Sequence, residues 1–263
     1  MAHFIEHARR AWPACVLCTA LAVASAPAGL RAQGAGGFQV GVRAGSLQHS
    51  RLGWVNGTLS GIGADGLSVD ADVDAESSLH VGASLARPLS ESLLLRLRVA
   101  RTTTHMRLDA LTTPLGGAGT QQTRQYTFDG LGDVTVWLVD VDLAWSPWSE
   151  DAPVRPYVFG GLGASHWDIS GLEGLGAFPP LLESPVDVRP VSALLPGVVL
   201  GAGFAVPVAS RVTLEMELSD HISGDPLADE DFRVGATFSG SGRAKNLVHN
   251  LSLTAGTRIA VAR

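Results

Sequence analysis

Cysteine is almost absent from this sequence. Among 263 residues the only cysteines are Cys15 and Cys18, and both lie at the start of an N-terminal apolar run. The rest of the chain can therefore form neither a disulfide framework nor a thiolate metal site. A lipid-anchored cysteine would follow the apolar run, so we expect no lipoprotein.

Long apolar runs are also lacking after residue 32. Arg9 and Arg10 precede the N-terminal run at 11–26, and small-residue cleavage sites end at Ala28 or Ala32. This run is shorter than the roughly 20 residues that a membrane-spanning helix needs, and no later run reaches about 18. We predict a secretory signal peptide over residues 1–32 and a single domain over residues 33–263. Any membrane crossing in that domain must be made by strands.

Positive charge is scarce as well. After residue 32 the chain has one lysine, Lys245, although soluble β-sheets commonly protect their edges with lysine. The whole chain has 19 basic and 25 acidic residues, and removal of the signal peptide leaves 16 and 24. This acidic excess argues against binding to nucleic acid and against polybasic docking on anionic lipid. We expect no nucleic-acid partner.

What the chain does contain is strand periodicity. After residue 36, segments with an apolar residue at every second position alternate with connections that are either short or about 25 to 30 residues long, a pattern typical of transmembrane β-barrels. The fold class that this predicts is all-β, an eight-stranded antiparallel up-and-down transmembrane β-barrel with long extracellular loops and short periplasmic turns. The predicted strands are 37–46, 78–87, 92–104, 134–145, 155–167, 196–206, 211–221 and 247–262.

Alternation within the strands assigns their two faces. In the third predicted strand Leu95 and Leu97 share one face, whereas Arg96 and Arg98 share the other. Side chains of a strand point alternately to opposite sides, so the apolar face is predicted to meet lipid and the polar face the lumen. The segment 156–165 is apolar on both faces, and its orientation is left unassigned.

Eight charged residues fall on the polar face at similar heights above the short-turn rim. They are Arg43, Arg96, Arg98, Asp140, Asp142, Glu215, Glu217 and Arg258. An eight-stranded barrel is only wide enough for side chains to fill, and buried charges persist when they are paired. We predict a lumen ion-pair cluster, with two roles left open: a structural filling that stiffens the barrel, or a gated path through exchangeable ion pairs.

Tryptophans at strand ends indicate the membrane boundary. Trp145 and Trp148 fall where the fourth predicted strand meets its short turn, and Trp167 ends the fifth. Aromatic residues form girdles at both interfaces of membrane barrels. We therefore predict Trp145, Trp148 and Trp167 as interface aromatics.

Motifs for catalysis, cofactors and metals are lacking. There is no GxSxG, no Walker loop and no dinucleotide-binding fingerprint after a strand. The histidines after residue 32 form neither a close pair nor an HExxH motif. We expect no catalytic residue, no cofactor and no metal site. The alternating acidic residues from Asp70 to Glu76 resemble the start of a calcium loop, but Ala75 replaces its glycine and Val81 its closing glutamate. A solvated acidic loop is expected there, with loose bridging of divalent cations to surface lipid as the alternative.

Three segments carry a resemblance to a known family. FQVGVRAG, the segment from Arg155 to Ser165 and the closing HNLSLTAGTRIAVAR resemble the small OmpA-, OmpX- and OmpW-like outer-membrane β-barrels of Gram-negative bacteria. The resemblance implies location in the cell outer membrane and folding by the barrel-assembly machinery. It implies outer-membrane lipid and lipopolysaccharide as surroundings, and we expect a monomer. The family includes structural proteins, adhesins and narrow channels, so it implies no single activity.

The sequence therefore favours a non-enzymatic integral outer-membrane barrel protein with a structural or surface-interaction role. One alternative is a narrow OmpW-like channel for small or hydrophobic solutes. A second is an outer-membrane lipid-modifying hydrolase, using His166 near Ser165 or His221 beside Ser219. A soluble periplasmic β-sandwich is the alternative fold.

Overall fold

The computed structural model describes residues 37–59, 66–115, 123–130, 132–149, 151–170, 190–228, 238–244 and 246–261. The predicted signal peptide lies outside the described residues, as does most of the third long connection.

Within the described part of the chain, no helix is long and apolar enough to cross a membrane.

The described residues form twelve strands. These are β1 Gln39–His49, β2 Gly53–Leu59, β3 Leu67–Ala75, β4 Ser78–Pro88, β5 Leu93–Pro114, β6 Arg124–Phe128, β7 Asp133–Trp145, β8 Arg155–Ser170, β9 Val191–Ala209, β10 Val212–Gly224, β11 Phe238–Ala244 and β12 Leu247–Ala260.

Eight of the strands close into a ring. Each of β1, β4, β5, β7, β8, β9, β10 and β12 pairs with the next in this order, and β12 pairs back with β1, every pair antiparallel. Ring neighbours are also successive in the chain, which is the up-and-down arrangement. The predicted eight-stranded barrel is confirmed, and the β-sandwich alternative is wrong because no pair of separate facing sheets exists among these strands.

Each predicted strand overlaps one ring strand, but two ring strands are much longer than predicted. β5 continues to Pro114 and β9 begins at Val191. Beyond His105 the β5 strand leaves β7 and pairs instead with β3 and β6. The alternation that marks a lipid-facing strand ends before this point, although the strand itself continues.

The first, second and fourth long connections contain strands where loops were predicted. β2, β3, β6 and β11 join the outer half of β5 in the order β11, β2, β3, β5, β6. We call these strands, with residues 106–114 of β5, the extension sheet. The acidic stretch expected as a loop therefore lies mostly in β3, and the glycine-rich stretch near residue 240 lies partly in β11. In the described parts of these three connections, much of the backbone is paired in regular strands rather than forming a solvated loop.

The outside of the ring is a continuous apolar belt. Val42, Leu97, Val141, Leu200 and Ile259 are all between 42% and 63% exposed. Side chains of this kind would be unfavourably placed in water, whereas a belt flanked by aromatic residues is the usual outer surface of a membrane barrel. Trp145 at the short-turn rim is half exposed. At the opposite end Trp137 faces outward, with the Arg101 guanidinium 5.4 Å from its ring centre.

The inside of the ring is filled in layers. Next to the short turns lies a cavity of about 90 Å³, followed by the charged residues. Nearer the long connections comes an apolar cluster that includes Leu47, Val134, Val136 and Ile169, together with Leu52 and Leu227 from the connections.

Trp167 belongs to this inner cluster, which corrects one predicted interface residue. Its side chain is fully buried, its indole nitrogen donates to the Ser165 hydroxyl at 3.1 Å, and its ring lies 5.2 Å from that of His49. Trp167 shares the inward face of β8 with Tyr157 and Phe159. At this end of the barrel the tryptophan that is exposed on the outside is Trp137.

Candidate functional site in the barrel lumen

The charged layer begins with two ion pairs across β5 and β7. Arg96 lies opposite Asp142 and Arg98 opposite Asp140, so the strand register alone sets both pairs on the same inward face. The Arg96 Nε atom is 2.7 Å from Asp142 Oδ1. Arg98 reaches Asp142 at 2.5 Å and Asp140 at 3.5 Å. Asp142 is thus shared by both arginines.

Glu217 joins these pairs from the other side of the lumen. It projects inward from β10 and contacts Arg43 at 3.1 Å and Arg98 at 3.3 Å, and it also pairs with Arg96. The Tyr157 hydroxyl donates to its Oε1 at 2.7 Å. Glu217 is only 4% exposed. One carboxylate therefore links three arginines that come from two different strands.

Aromatic rings line the network on the β8 side. The guanidinium carbons of Arg96 and Arg98 lie 4.4 and 4.6 Å from the Phe159 ring centre. Such cation–π contacts strengthen when water is excluded. The planar guanidinium groups are therefore held both by carboxylates at their edges and by a ring at one face, a use of arginine that lysine cannot reproduce.

Glycine on neighbouring strands makes room for the large side chains. Gly203 pairs with Glu217 in the register of β9 and β10, and a Cβ atom added there would lie 2.9 Å from the Tyr157 ring. Gly163, opposite Asp140, would similarly meet the ring of His221 at 2.9 Å. Alternation of small and large residues lets a narrow barrel be packed without voids.

Glu215 and Arg258 lie nearer the short-turn rim and contact each other at 3.0 Å. The eight predicted residues thus form one network of six and one separate pair, rather than a single level. Formal charge balances within the eight, four arginines against four carboxylates. A cavity beside Arg43, Arg96 and Glu217 measures about 10 Å³, which is room for about one water molecule.

A layer of buried polar residues that was not predicted as part of the charged cluster lies above the network. His221 contacts Asp140 at 2.8 Å, and His49 contacts the Asn250 side chain at 2.6 Å. His80 and Asn250 are also buried. Inward parity in β10 and β12 could have located His221 and Asn250, because they share faces with Glu217 and Arg258. The buried face of β8, with Tyr157 and Phe159, gave no such signal, since both of its faces are apolar.

The residue pairs considered for hydrolysis are not assembled. Ser165 is buried and bonded by Trp167, while His166 points outward, with its Nε2 atom 3.4 Å from the Ser192 hydroxyl. Ser219 is hydrogen-bonded to Ser252 at 2.7 Å, and His221 faces Asp140 rather than Ser219. Neither predicted serine is in contact with its predicted histidine, which a serine nucleophile would require.

No protein-family model matches this sequence, and the comparison with curated proteins finds no match. Solved structures are similar in fold. Neisserial surface protein A is 15% identical over 87% of this chain and 100% of its own, with a TM-score of 0.46. OprG from Pseudomonas aeruginosa is 13% identical over 85% of this chain and 97% of its own, at 0.43. AlkL is 13% identical over 91% and 97%, also at 0.43. These values describe a shared type of fold only.

Proposed function

We propose that this chain is an integral outer-membrane β-barrel protein with a structural or surface-interaction role and without enzymatic activity. The observation that carries this proposal is the combination of a closed ring, an exposed apolar belt and a filled lumen. In lipid every backbone polar group must be bonded within the protein, and a closed barrel meets this demand without exposed edges. The extension sheet, formed by described parts of the first, second and fourth long connections, would then face outward from the cell.

The filled lumen supports a non-conducting barrel. Ions would have to pass the charged network, in which Arg96, Asp142 and Glu217 are each 4% exposed or less, and then the apolar cluster around the fully buried Trp167. An apolar constriction is itself a barrier to ions because it excludes water. Both layers would have to open together for conduction, and they are built from different contacts.

The test is to fold residues 33–263 in detergent, compare boiled with unboiled samples on an SDS gel, and record conductance in planar bilayers. We expect a faster-migrating unboiled band and no channel activity. Arg96→Ala and Asp142→Ala variants should also be silent, because the apolar layer stays closed. Steps of conductance that change in these variants would favour the narrow-channel alternative. A chain that is soluble without detergent would contradict the membrane assignment itself.

A further inference from the structure

The two faces of the extension sheet differ sharply in character. Val69, Ala71 and Ala110 are buried on one face. The other face follows the same parity as the apolar belt of β5, so it points outward from the barrel, and it is polar. Strand pairing arranges its side chains in two rows: Trp54, Asp72 and Asp109 in one, and Asn56, Asp70 and Gln125 with Leu111 in the other.

This outward face forms a cavity of about 640 Å³. That volume is within the range of roughly 300 to 1,000 Å³ typical of small-molecule sites. Its polar lining comes from the two rows, with Asn56, Asp70 and Gln125 exposed and Trp54 half buried. The cavity is open to solvent, so a ligand could enter it directly from outside the protein.

The chemistry of the lining suits a polyhydroxylated ligand. Amide and carboxylate groups each present two polar atoms that can bond neighbouring hydroxyl groups. An indole ring offers a broad apolar surface with a polar tip, on which the C–H face of a sugar ring can lie. Among the described residues, no three potential metal ligands are arranged so that they could hold an ion.

Several of the side chains are already held in place. Asp72 pairs with Arg51 at 2.6 Å. Asp109 accepts a hydrogen bond from Thr127 at 2.6 Å and is 3.0 Å from Arg107 Nε. Groups that are fixed before binding lose less conformational freedom when the ligand arrives. Asp72 and Asp109, which share a row with Trp54, are therefore fixed before any ligand is present.

The charge of the lining selects between ligands. Three carboxylates, from Asp70, Asp72 and Asp109, line the cavity together with Arg51. Arg51 pairs with Asp72, and Arg107, which is outside the lining, pairs with Asp109. The remaining acidic excess disfavours phosphate, sulfate and carboxylate groups, because like charges brought together at a binding surface repel each other. Neutral or amino-substituted sugars carry no such penalty.

The height of the cavity fits this class of ligand. Asp109 lies ten residues beyond Val99, the last apolar residue of the β5 belt. At about 3.3 Å per residue and a strand tilt of about 40°, this places the cavity about 25 Å above the belt. With the orientation in the proposed function, on which this argument rests, saccharides surround that level.

We propose that the outward face of the extension sheet is a binding site for a neutral saccharide, stacked on Trp54 and hydrogen-bonded by Asn56, Asp70 and Gln125. The sugar can belong to the core of surface lipopolysaccharide or to a free glycan, since both present the same hydroxyl chemistry to the cavity.

The experiment uses the chain from residue 33, folded in a zwitterionic detergent, because detergents with sugar headgroups would compete. Maltotriose and triacetylchitotriose serve as neutral probes and a sulfated disaccharide as the charged probe, titrated by calorimetry. We expect a neutral probe to bind, the sulfated probe not to bind, and Trp54→Ala to weaken binding at least tenfold. Asn56→Ala should weaken it less. Trp148→Ala, at the opposite rim, is the matched control and should bind as the parent does.

A second experiment, with lipopolysaccharide, distinguishes the two sources of the sugar. The surface lipid is identified as the source if the protein binds lipopolysaccharide with complete core sugars but not a truncated form without neutral core sugars. Trp54→Ala should then lose this binding. Binding of the free probes alone would identify a soluble glycan. If the chain shows the gel shift of a closed barrel but binds neither free probe nor core sugars, or binds them equally in Trp54→Ala, the saccharide site is wrong while the barrel assignment stands.

Discussion

Glu217 is the residue on which the lumen network depends most directly. Three arginines contact it and Tyr157 donates to it, so neutralising it leaves an excess of buried positive charge. Removing one partner of a buried ion pair typically costs about 3 to 5 kcal/mol. We expect Glu217→Gln to lower the free energy of unfolding by an amount in this range, measured by urea titration of the barrel in detergent.

Glu215→Gln is the matched control for that measurement. Glu215 contacts one arginine, Arg258, and both lie nearer the rim, where their side chains are 13% and 10% exposed. Solvent can compensate part of the lost interaction there. A smaller loss is therefore expected than for Glu217→Gln. Equal losses would mean that the shared contacts of Glu217 add nothing beyond an ordinary pair.

Residues of the charged layer could be predicted from the sequence because nearly every one of them is a charged residue between apolar neighbours in an alternating strand. Arg96 and Asp142 are conspicuous in this way, and strand register then brings them together. Trp167 and Tyr157 gave no comparable signal. Their strand is apolar on both faces, so only the pairing with β7 decides which of them point inward. Where both faces of a strand are apolar, composition cannot separate a core residue from a girdle residue.

At the scale of strands, the ring could be predicted and the extension sheet could not. Ring strands alternate between lipid and lumen over about ten residues, which is a strong pattern. β3 alternates too, but its sequence LSVDADVDA sets aspartate against small or apolar residues, and the same spacing is typical of calcium loops. The buried Val69 and Ala71 show which side of that alternation faces inward. Short strands outside the membrane lack the lipid-facing residues that make barrel strands visible.

Asp74 on β3 gives the extension sheet a dependence on pH. Burial raises the pKa of its carboxyl group above the ordinary value, and the nearby Asp72 raises it further. A raised carboxyl pKa in the folded state means that the protonated form is favoured by folding. The associated stability is present below the pKa of an unfolded aspartate, about 3.9, and is lost as pH rises through the folded value.

Asp74→Asn should therefore stabilise the extension sheet at neutral pH and leave it nearly unchanged at about pH 3, below the unfolded aspartate pKa. Hydrogen exchange of the β3 amides, compared between variant and parent at each pH, measures this. We expect the β3 amides of Asp74→Asn to exchange more slowly than those of the parent at neutral pH but not at about pH 3. Asp70→Asn removes an exposed carboxylate from the same strand and serves as control. The same slowing in both variants would point to a general charge effect rather than to the burial of Asp74.

The molecule as a whole combines a membrane ring with a sheet built on top of it, and the two share one apolar cluster. Leu52, Val73 and Ala75 from the first connection pack with Trp167 and Val134 of the ring. The ion-pair network lies below that cluster and contains no residue of the extension. The ring should therefore close without the extension sheet. Its free energy of unfolding, however, should depend on the packing that the extension sheet adds.

Replacing residues 50–75 with an Asn-Gly turn tests this division. β1 and β4 are antiparallel neighbours whose register would bring His49 opposite Glu76, and Asn-Gly suits a two-residue hairpin. We expect the unboiled variant still to migrate faster on an SDS gel, because every ring pairing remains. Its urea midpoint should fall, because the apolar cluster loses three packed side chains.

Leu52→Ala is the control that separates packing from topology. It removes one buried side chain, fully excluded from solvent, and leaves the extension in place, so its midpoint should fall between those of the parent and the shortened chain. Loss of the gel shift in the shortened chain, with the shift kept in Leu52→Ala, would show that the extension is needed for closure itself. The first connection would then be part of the barrel's folding unit rather than a surface built upon it.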